Sequence, residues 1–274
     1  MSQVQQADID ARNIDFWNEL CGTQLARSLG IIDSSSSSLK KFDDFYFGFY
    51  PYLRDHIPFD QVRGQKILEV GLGYGTVSQK LAESGALYTG LDIAPGPVEM
   101  VNHRLEQLRL PGEARQGNIL EAPFQDNTFD GVVTIGCLHH TGNIQQALDE
   151  IHRVLRPGGW AVVMTYNAYS YRRWWNNPKE TLSYLAWDYL KIGAPSQASL
   201  RERAAYDLGT SGAAPETVFV SARSFKRLSR KFSRINITKE NADQEAPFKK
   251  YPRERLLPLL GKALGLDLYT RLTK

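Results

Sequence analysis

Apolar and polar positions follow two different periods along residues 64–166, and they predict a repeated strand–helix unit. The apolar run 67–70 is followed directly by Val77, Leu81 and Ala82, whose spacing is that of one helix face. Short apolar runs and helical patterns keep alternating after that. The predicted strands are 66–70, 87–91, 113–117, 130–135 and 160–166, and the predicted helices are 75–84, 96–109 and 143–155. Strands that alternate with helices favour a parallel sheet with helices on both faces.

The residues on either side of this segment follow other patterns. Residues 1–12 are predicted to be frayed, 14–29 to form one or two short helices broken at Gly22, and the serines 34–38 to be a joint or a helix cap. The piece 42–53 is unusually aromatic, and 167–214 is first aromatic and then rich in Gly, Ala and Ser. Regular patterns return at 218–220, 224–233 and 235–237, and residues 266–272 would be a last strand.

Glycines at alternate positions separate the first strand from its helix. Gly71, Gly73 and Gly75 would let the backbone turn tightly and approach a ligand, with the free N–H groups of the helix start nearby. The dinucleotide fingerprint G-x-G-x-x-G needs a third small residue at position 76, where Thr76 stands instead. Glu69 would repel a pyrophosphate but suits a cationic ligand. S-adenosylmethionine, with an ammonium, a sulfonium and no phosphate, is such a ligand.

A second acidic residue supports the same ligand. Asp92 ends the second predicted strand, 23 residues beyond Glu69. In Rossmann-like sheets an acid about 20 residues on accepts hydrogen bonds from ribose hydroxyls. A plain helix cap is the other interpretation of Asp92.

Five segments in chain order carry a family resemblance: EVGLGYG at 69–75, GLDI at 90–93, GNIL at 117–120, FDGVV at 129–133 and LRPGG at 155–159. Together they resemble class I S-adenosylmethionine-dependent methyltransferases of the methyltransferase type 11 branch, which includes the ubiquinone and menaquinone methyltransferases. The resemblance covers residues 64–166 well and the tail loosely. It concerns cofactor and fold, and it says little about the substrate.

The resemblance implies an α/β, Rossmann-like fold. Its central, mostly parallel seven-stranded sheet would have the order 3-2-1-4-5-7-6 and helices on both sides. We expect residues 1–63 to form an N-terminal helical or lid region and 64–274 to form the methyltransferase domain. Within that domain, residues 167–214 would be a lid insertion after the fifth strand.

The resemblance also assigns roles in binding S-adenosylmethionine and its product S-adenosylhomocysteine. Glu69 would act on the methionine ammonium through the glycine loop or a water, and Asp92 would hold the ribose. Asn118 stands where the family commonly has an aspartate that accepts from the adenine amino group, and its amide oxygen can still accept. The full set of predicted cofactor-binding residues is Glu69, Gly71, Leu72, Gly73, Gly75, Asp92, Ile93, Asn118, Ile119, Leu120 and Gly136.

Two histidines follow the fourth predicted strand, at the sheet edge where ligands bind. Methyl transfer relies on positioning, and a base is needed only for a poorly acidic hydroxyl. His140 is the preferred base and His139 the second choice; the alternative is that the pair only shapes the turn. Cys137 is not expected to act as a nucleophile.

The acceptor would meet aromatic side chains. Some rings of the 42–53 piece would pack the N-terminal helices onto the sheet, or else cover the acceptor. Polar neighbours around Trp174 and Trp175 argue against their full burial and favour a substrate lid. The predicted substrate-binding residues are Tyr46, Tyr166, Trp174 and Trp175.

Composition narrows the class of protein. A net charge of +3 over 274 residues does not indicate nucleic acid, and the basic residues of 223–234 oppose an apolar stripe, as on a solvated helix face. The two cysteines, Cys21 and Cys137, make no disulfide scaffold, and we expect a cytoplasmic protein without a signal peptide or a membrane span. No Cys/His cluster has the spacing of metal ligands, so no metal is expected.

These observations predict a biosynthetic enzyme that methylates a small-molecule acceptor, at oxygen rather than nitrogen or carbon. Two alternatives stay open: methylation of RNA or protein, and a partner protein that binds S-adenosylmethionine without catalysis. The protein would be a monomer or a homodimer and would not act at a membrane.

Overall fold

The computed structural model describes residues 3–20, 22–194 and 197–274. Cys21, the first two residues of the N-terminal region and residues 195–196 of the predicted lid insertion lie outside the described residues. Among the described residues, no helix is both long enough and apolar enough to cross a membrane.

A seven-stranded sheet forms the centre of the molecule. Its first five strands are parallel, and the last strand pairs antiparallel with both of its neighbours. The strands are β1 (Lys66–Val70), β2 (Leu87–Asp92), β3 (Glu113–Gln116), β4 (Phe129–Ile135), β5 (Leu155–Tyr166), β8 (Arg234–Glu240) and β9 (Asp267–Thr273). Their order is β3-β2-β1-β4-β5-β9-β8. Counted within this sheet alone, that order is 3-2-1-4-5-7-6, which confirms the predicted topology. A small separate hairpin of β6 (Leu208–Gly209) and β7 (Gly212–Ala213) was not predicted.

Helices come before and between the strands along the chain. They are α1 (Gln3–Leu20), α2 (Thr23–Ser28), α3 (Ser36–Phe49), α4 (Leu53–His56), α5 (Thr76–Glu83), α6 (Pro95–Leu108), α7 (Ile144–Val154), α8 (Tyr171–Asn176), α9 (Pro178–Leu190), α10 (Leu200–Ala204), α11 (Ala222–Leu228), α12 (Arg253–Leu256) and α13 (Lys262–Leu264). Short 3-10 turns follow β3 at Ile119–Glu121 and β4 at Leu138–His140.

Local sequence accounts for several helix boundaries. Ser35 caps α3 by accepting a hydrogen bond from the Ser38 N–H, as the serine run predicted. Pro95 and Pro97 open α6, where a proline costs no helical hydrogen bond. Asn143 caps α7 through the N–H of Gln146.

Two predictions outside the sheet segment are wrong. Residues 3–12 are not frayed: they belong to α1, whose polar side chains bind the turns after β3 and β4. Residues 218–220 form no strand of the sheet, since only Val220 makes a bridge, to Asn167.

Both faces of the sheet are buried. One face packs under α7 and α11 with Leu68, Val132 and Val163, and the other packs under α5 and α6 with Ile67, Val133 and Val162. Alternate residues of each strand therefore enter opposite halves of the core. With both faces covered, the carboxyl edge of the parallel strands is where a ligand can reach the backbone.

Candidate functional site

A cavity of about 730 Å³ lies at the carboxyl ends of β1, β2, β4 and β5. Side chains from α1, α2 and α3 line it on one side, and residues 204–208, Asn241 and the start of β9 line it on the other. Its volume is in the range of small-molecule sites in proteins.

The three glycines after β1 serve different purposes. Gly73 has φ +54° and lines the cavity, and a Cβ there would project into open space. At Gly71 (φ +79°) a Cβ would lie 2.5 Å from the Cβ of Cys137, so this glycine lets two loops pack together. Gly75 does not line the cavity. A Cβ on it would lie 2.8 Å from Cδ of Arg104, so this glycine lets the Arg104 side chain pack against the start of α5, and its cofactor contact stays a prediction.

Asp92 holds the glycine loop in place. Its two carboxylate oxygens accept hydrogen bonds from the N–H groups of Leu72 (2.7 Å) and Ala94 (2.9 Å). The residue lines the cavity, and burial, which outweighs these bonds, raises the pKa of its carboxyl. Each carboxylate oxygen has a second lone pair, so a ligand hydroxyl can still donate to it.

Glu69 is a buried residue whose carboxyl group forms part of the cavity wall. Its Oε2 accepts from the Ser78 hydroxyl (2.5 Å) and from the Tyr88 hydroxyl (2.7 Å). Burial raises its pKa to about 7, against the opposing effect of these two hydrogen bonds. The group therefore changes its charge readily near neutral pH.

Both polar atoms of the Asn118 side-chain amide form hydrogen bonds. The oxygen accepts from the N–H of Leu120 (2.9 Å), and Nδ2 donates to Asp10 of α1 (2.8 Å). Ile119 lines the cavity as predicted, but Leu120 does not, because its side chain packs into the core beneath α7.

The two histidines after β4 lie in different environments. His140 lines the cavity; its Nδ1 lies 2.7 Å from the carbonyl oxygen of Glu216, and its Nε2 lies 3.5 Å from Asp207 Oδ2. His139 is fully buried away from the cavity, against the ring of Tyr166 at 4.0 Å. Burial lowers the pKa of both rings, so both are neutral at pH 7. Only His140 can contact a ligand.

Comparison with known proteins agrees with this geometry. Residues 68–163 match the family profile described as a methyltransferase domain. The chain is similar to the demethylmenaquinone methyltransferase of Tropheryma whipplei, with 33% identity over 105 residues, 38% of this chain and 43% of the relative. It is also similar to the fatty-acid O-methyltransferase of Mycolicibacterium smegmatis, with 37% identity over 101 residues, 36% of each chain. The chain thus spans less than half the length of these curated relatives.

A solved structure extends the likeness to the fold. The S-adenosylmethionine-dependent methyltransferase of Mesorhizobium loti matches 82% of this chain and 97% of its own, with a TM-score of 0.53 and 16% identity. Residues 68–163 therefore carry a methyltransferase domain, and the fold around them is that of class I methyltransferases.

Two of the four predicted aromatic residues line the cavity and two do not. Tyr46 of α3 and Tyr166 of β5 line the cavity. Neither Trp174 nor Trp175 does, and 57% of Trp175 is exposed. Arg172 of the same helix reaches the cavity instead. Trp174 is two positions beyond Arg172 and therefore lies on the opposite side of the helix from it.

Three further residues of the predicted cofactor-binding set also line the cavity. Leu72, Ile93 and Gly136 line the cavity beside Gly73 and Asp92. A Cβ on Gly136, which has φ +77°, would meet open space, as at Gly73.

Several cavity residues were not predicted. Sequence reasoning missed Asp10, Trp17, Tyr50, Arg172, Asp207, Asp267 and Tyr269. Asp267 had a signal, because an acid between apolar residues at the start of a strand buried on both faces is unusual. Asp207 had none, since it lies in the segment without a regular period.

The wall of the cavity suits a ligand with positive charge. Glu69 and Asp92 stand beside the glycine loop, and Asp10 of α1 also lines the cavity. Gly73 leaves room where a side chain would fill the space. These residues fit the ammonium, sulfonium and ribose hydroxyls of S-adenosylmethionine. Among the described residues, no three His, Cys, Asp or Glu side chains group as a metal site would require.

Proposed function

We propose that the protein transfers a methyl group from S-adenosylmethionine to an oxygen atom of a small-molecule acceptor. One observation carries the proposal: a single cavity joins the acid-flanked glycine loop at Gly73 to a buried, neutral histidine, His140.

The glycine-loop end of the cavity would hold the cofactor. Asp92 would accept from the ribose hydroxyls through its free lone pairs, and Glu69 would balance the methionine ammonium through the loop or a water. Asn118 would act indirectly, by fixing the turn that presents Ile119 and by holding α1 through Asp10. When bound, the cofactor supplies a methyl group activated by the adjacent sulfonium.

The other end of the cavity would prepare the acceptor. A carbonyl oxygen only accepts hydrogen bonds, so the 2.7 Å contact with Glu216 requires the proton on Nδ1 of His140. Nε2 is then an unprotonated acceptor, and it has no hydrogen-bond partner in the structure. It can take the proton of an acceptor hydroxyl as that oxygen is methylated. Asp207, 3.5 Å away, would stabilise the resulting imidazolium.

Helix α1 would keep water from this end. Trp17 packs on the His140 ring with centroids 4.6 Å apart, and Asn13 Nδ2 donates to the His140 carbonyl (2.8 Å). The named substrates of the relatives, a demethylmenaquinone and a fatty acid, are small molecules, and the second is methylated on oxygen. These names support a small acceptor and an oxygen nucleophile.

Calorimetric titration tests the cofactor half of the proposal. We expect micromolar binding of S-adenosylmethionine and S-adenosylhomocysteine and no binding of NAD. Asp92→Ala should weaken the binding of both adenosyl compounds by about tenfold or more, as for the loss of a hydrogen bond to a charged group. If neither adenosyl compound binds, or if NAD binds preferentially, the assignment of S-adenosylmethionine as the cofactor is refuted.

Product formation tests the acceptor half. Hydroxylated small molecules are incubated with labelled S-adenosylmethionine, and the methylated atom is read by mass spectrometry and NMR. Methyl ethers or esters are expected. Cofactor binding with no turnover on any acceptor would instead indicate a non-catalytic partner protein.

A further inference from the structure

The far end of the cavity, beyond His140, carries two carboxyl groups without a cationic partner. Asp267 begins β9, is 1% exposed and lines the cavity. Asp207 lines it next to His140. Within the described parts of the chain, no arginine or lysine forms an ion pair with either of them.

The other charges at this end already neutralise one another. Arg172 binds Glu245 through Nε (2.8 Å) and Asp243 through NH2 (3.0 Å). Arg253 donates to the oxygen of Asn241, whose Nδ2 in turn donates to Asp267 (2.9 Å). Asp267 therefore receives an amide hydrogen bond, and Arg172 acts on its charge only from a distance, without an ion pair between them.

The unpaired state of these carboxyls is costly inside the protein. Burial of a carboxylate without a countercharge disfavours the ionised form. Burial raises the pKa of Asp267 to about 8 and also raises the pKa of Asp207. A ligand that brings a positive charge would remove this cost.

Aromatic faces surround the same space. Tyr46 and Tyr50 of α3, with ring centroids 5.0 Å apart, line it together with Tyr166 of β5 and Tyr269 of β9. Tyr166 pairs in register with Asp267 and donates its hydroxyl to Asp207 (2.9 Å). Tyrosine rings attract cations over their faces. Nε2 of His140, a residue that is 3% exposed, also lines the cavity without a hydrogen-bond partner.

Resting on the proposed function, we propose that the acceptor is a hydroxylated amine, whose ammonium is held by Asp267 and Asp207 among the tyrosine rings while its hydroxyl meets Nε2 of His140. The ammonium is the anchor and not the nucleophile, because a protonated nitrogen has no lone pair to accept a methyl group. The hydroxyl proton passes to His140 as the carbon–oxygen bond forms and the carbon–sulfur bond breaks.

Matched pairs of probes test the anchor. Tyramine and tyrosol differ only in an ammonium against a hydroxyl, and benzylamine and benzyl alcohol are a smaller pair. Binding is measured by calorimetry with and without saturating S-adenosylhomocysteine. We expect at least one amine to bind about tenfold or more tightly than its neutral partner.

Isosteric variants locate the effect. Asp267→Asn keeps the shape and can still accept from Asn241, yet it should reduce the preference for the amine to near unity; Asp207→Asn is the second variant. Asp130→Asn, at the opposite edge of the sheet, is the control and should keep the full preference.

The outcomes are separable. If neither amine binds more tightly than its neutral partner, including the case of no binding, the proposal is overturned and a neutral acceptor is indicated. If the preference survives both Asp267→Asn and Asp207→Asn, the assignment to these residues is overturned. If the protein does not bind S-adenosylhomocysteine but still prefers the amines, the proposed function is overturned and the amine anchor is not.

Discussion

Glu69 should couple cofactor binding to the release of a proton. In the free protein its pKa is about 7, because burial opposes the ionised form. A cationic cofactor stabilises the ionised carboxylate, so the protonated fraction must lose its proton on binding. The affinity therefore rises with pH.

The magnitude follows from this single pKa. With half of the carboxyls protonated at pH 7, binding should release about half a proton per site at that pH. Between pH 6 and pH 8 the fraction of ionised Glu69 rises from about one tenth to about nine tenths, so Kd should fall about tenfold. That change corresponds to about 1.4 kcal/mol of binding free energy.

Titration calorimetry with S-adenosylhomocysteine, which keeps the ammonium, measures both quantities. Titrations in buffers of different ionisation enthalpy give the number of protons released, and titrations from pH 6 to 8 give the slope of Kd. Glu69→Gln keeps the shape of the side chain, and its amide oxygen can accept from Ser78 and Tyr88, but it cannot titrate. This variant should release about half a proton less at pH 7 than the wild type.

Glu83→Gln on the outer face of α5 is the matched control and should behave as the wild type. Glu83→Gln removes a carboxyl from the same helix but leaves Glu69 and Asp92 in place, so it shows what the loss of a surface carboxyl alone does. If Kd changed with pH in the wild type only as much as it does in Glu69→Gln, the reasoning would be refuted. Glu69 would then have the same charge in the free and in the ligand-bound protein.

Three further predictions concern single side chains. His140→Gln should lower the rate of methyl transfer by about 10²- to 10⁴-fold and leave the affinity for S-adenosylhomocysteine nearly unchanged; equal loss of both would assign the ring a structural role. Gly73→Ala and Gly64→Ala both place a side chain at positive φ with nothing within 4 Å, and each should cost about 1–2 kcal/mol of stability in urea unfolding. Only Gly73→Ala should also weaken cofactor binding, and equal affinities would show that the cofactor does not approach this loop. Arg173→Ala should cost about 3–5 kcal/mol in the same unfolding measurement, because it leaves Glu202, its partner at 2.5 Å, buried and unpaired. Arg156→Ala, whose pair with Asp130 is exposed on the arginine side, should cost about 1 kcal/mol or less, and similar losses for the two arginines would contradict the burial argument.

Patterns within short stretches of the sequence predicted the sheet segment closely. The strands at 66–70 and 130–135, the glycine loop and Asp92 at the end of β2 all depend on residues close in sequence. A strand's period and a turn's glycines are local properties, so they can be read without knowing the rest of the chain. The order of the strands came from the family resemblance and is confirmed.

Contacts between distant segments decided the details of the candidate site. Asn118 meets Asp10 across 108 residues, and His140 meets Asn13 across 127, so no local pattern could show that α1 is ordered over the cavity. The neighbouring histidines look alike in the sequence, yet the 3-10 turn after β4 directs only His140 into the cavity. Trp174 and Trp175 are the aromatic signal of their segment, but the direction of α8 brings Arg172 inward in their place.

The sequence by itself determined the class of fold and the place of the glycine loop, because both follow from period, turn chemistry and motif order. Only the tertiary structure decided that Asp207 and Asp267 share a cavity with His140. Their charge environment depends on which cations lie within a few ångströms after folding, and Arg172 and Arg253 are committed to other partners. Burial and unpaired charge are properties of the assembled molecule, and at this site they point to what the acceptor must supply.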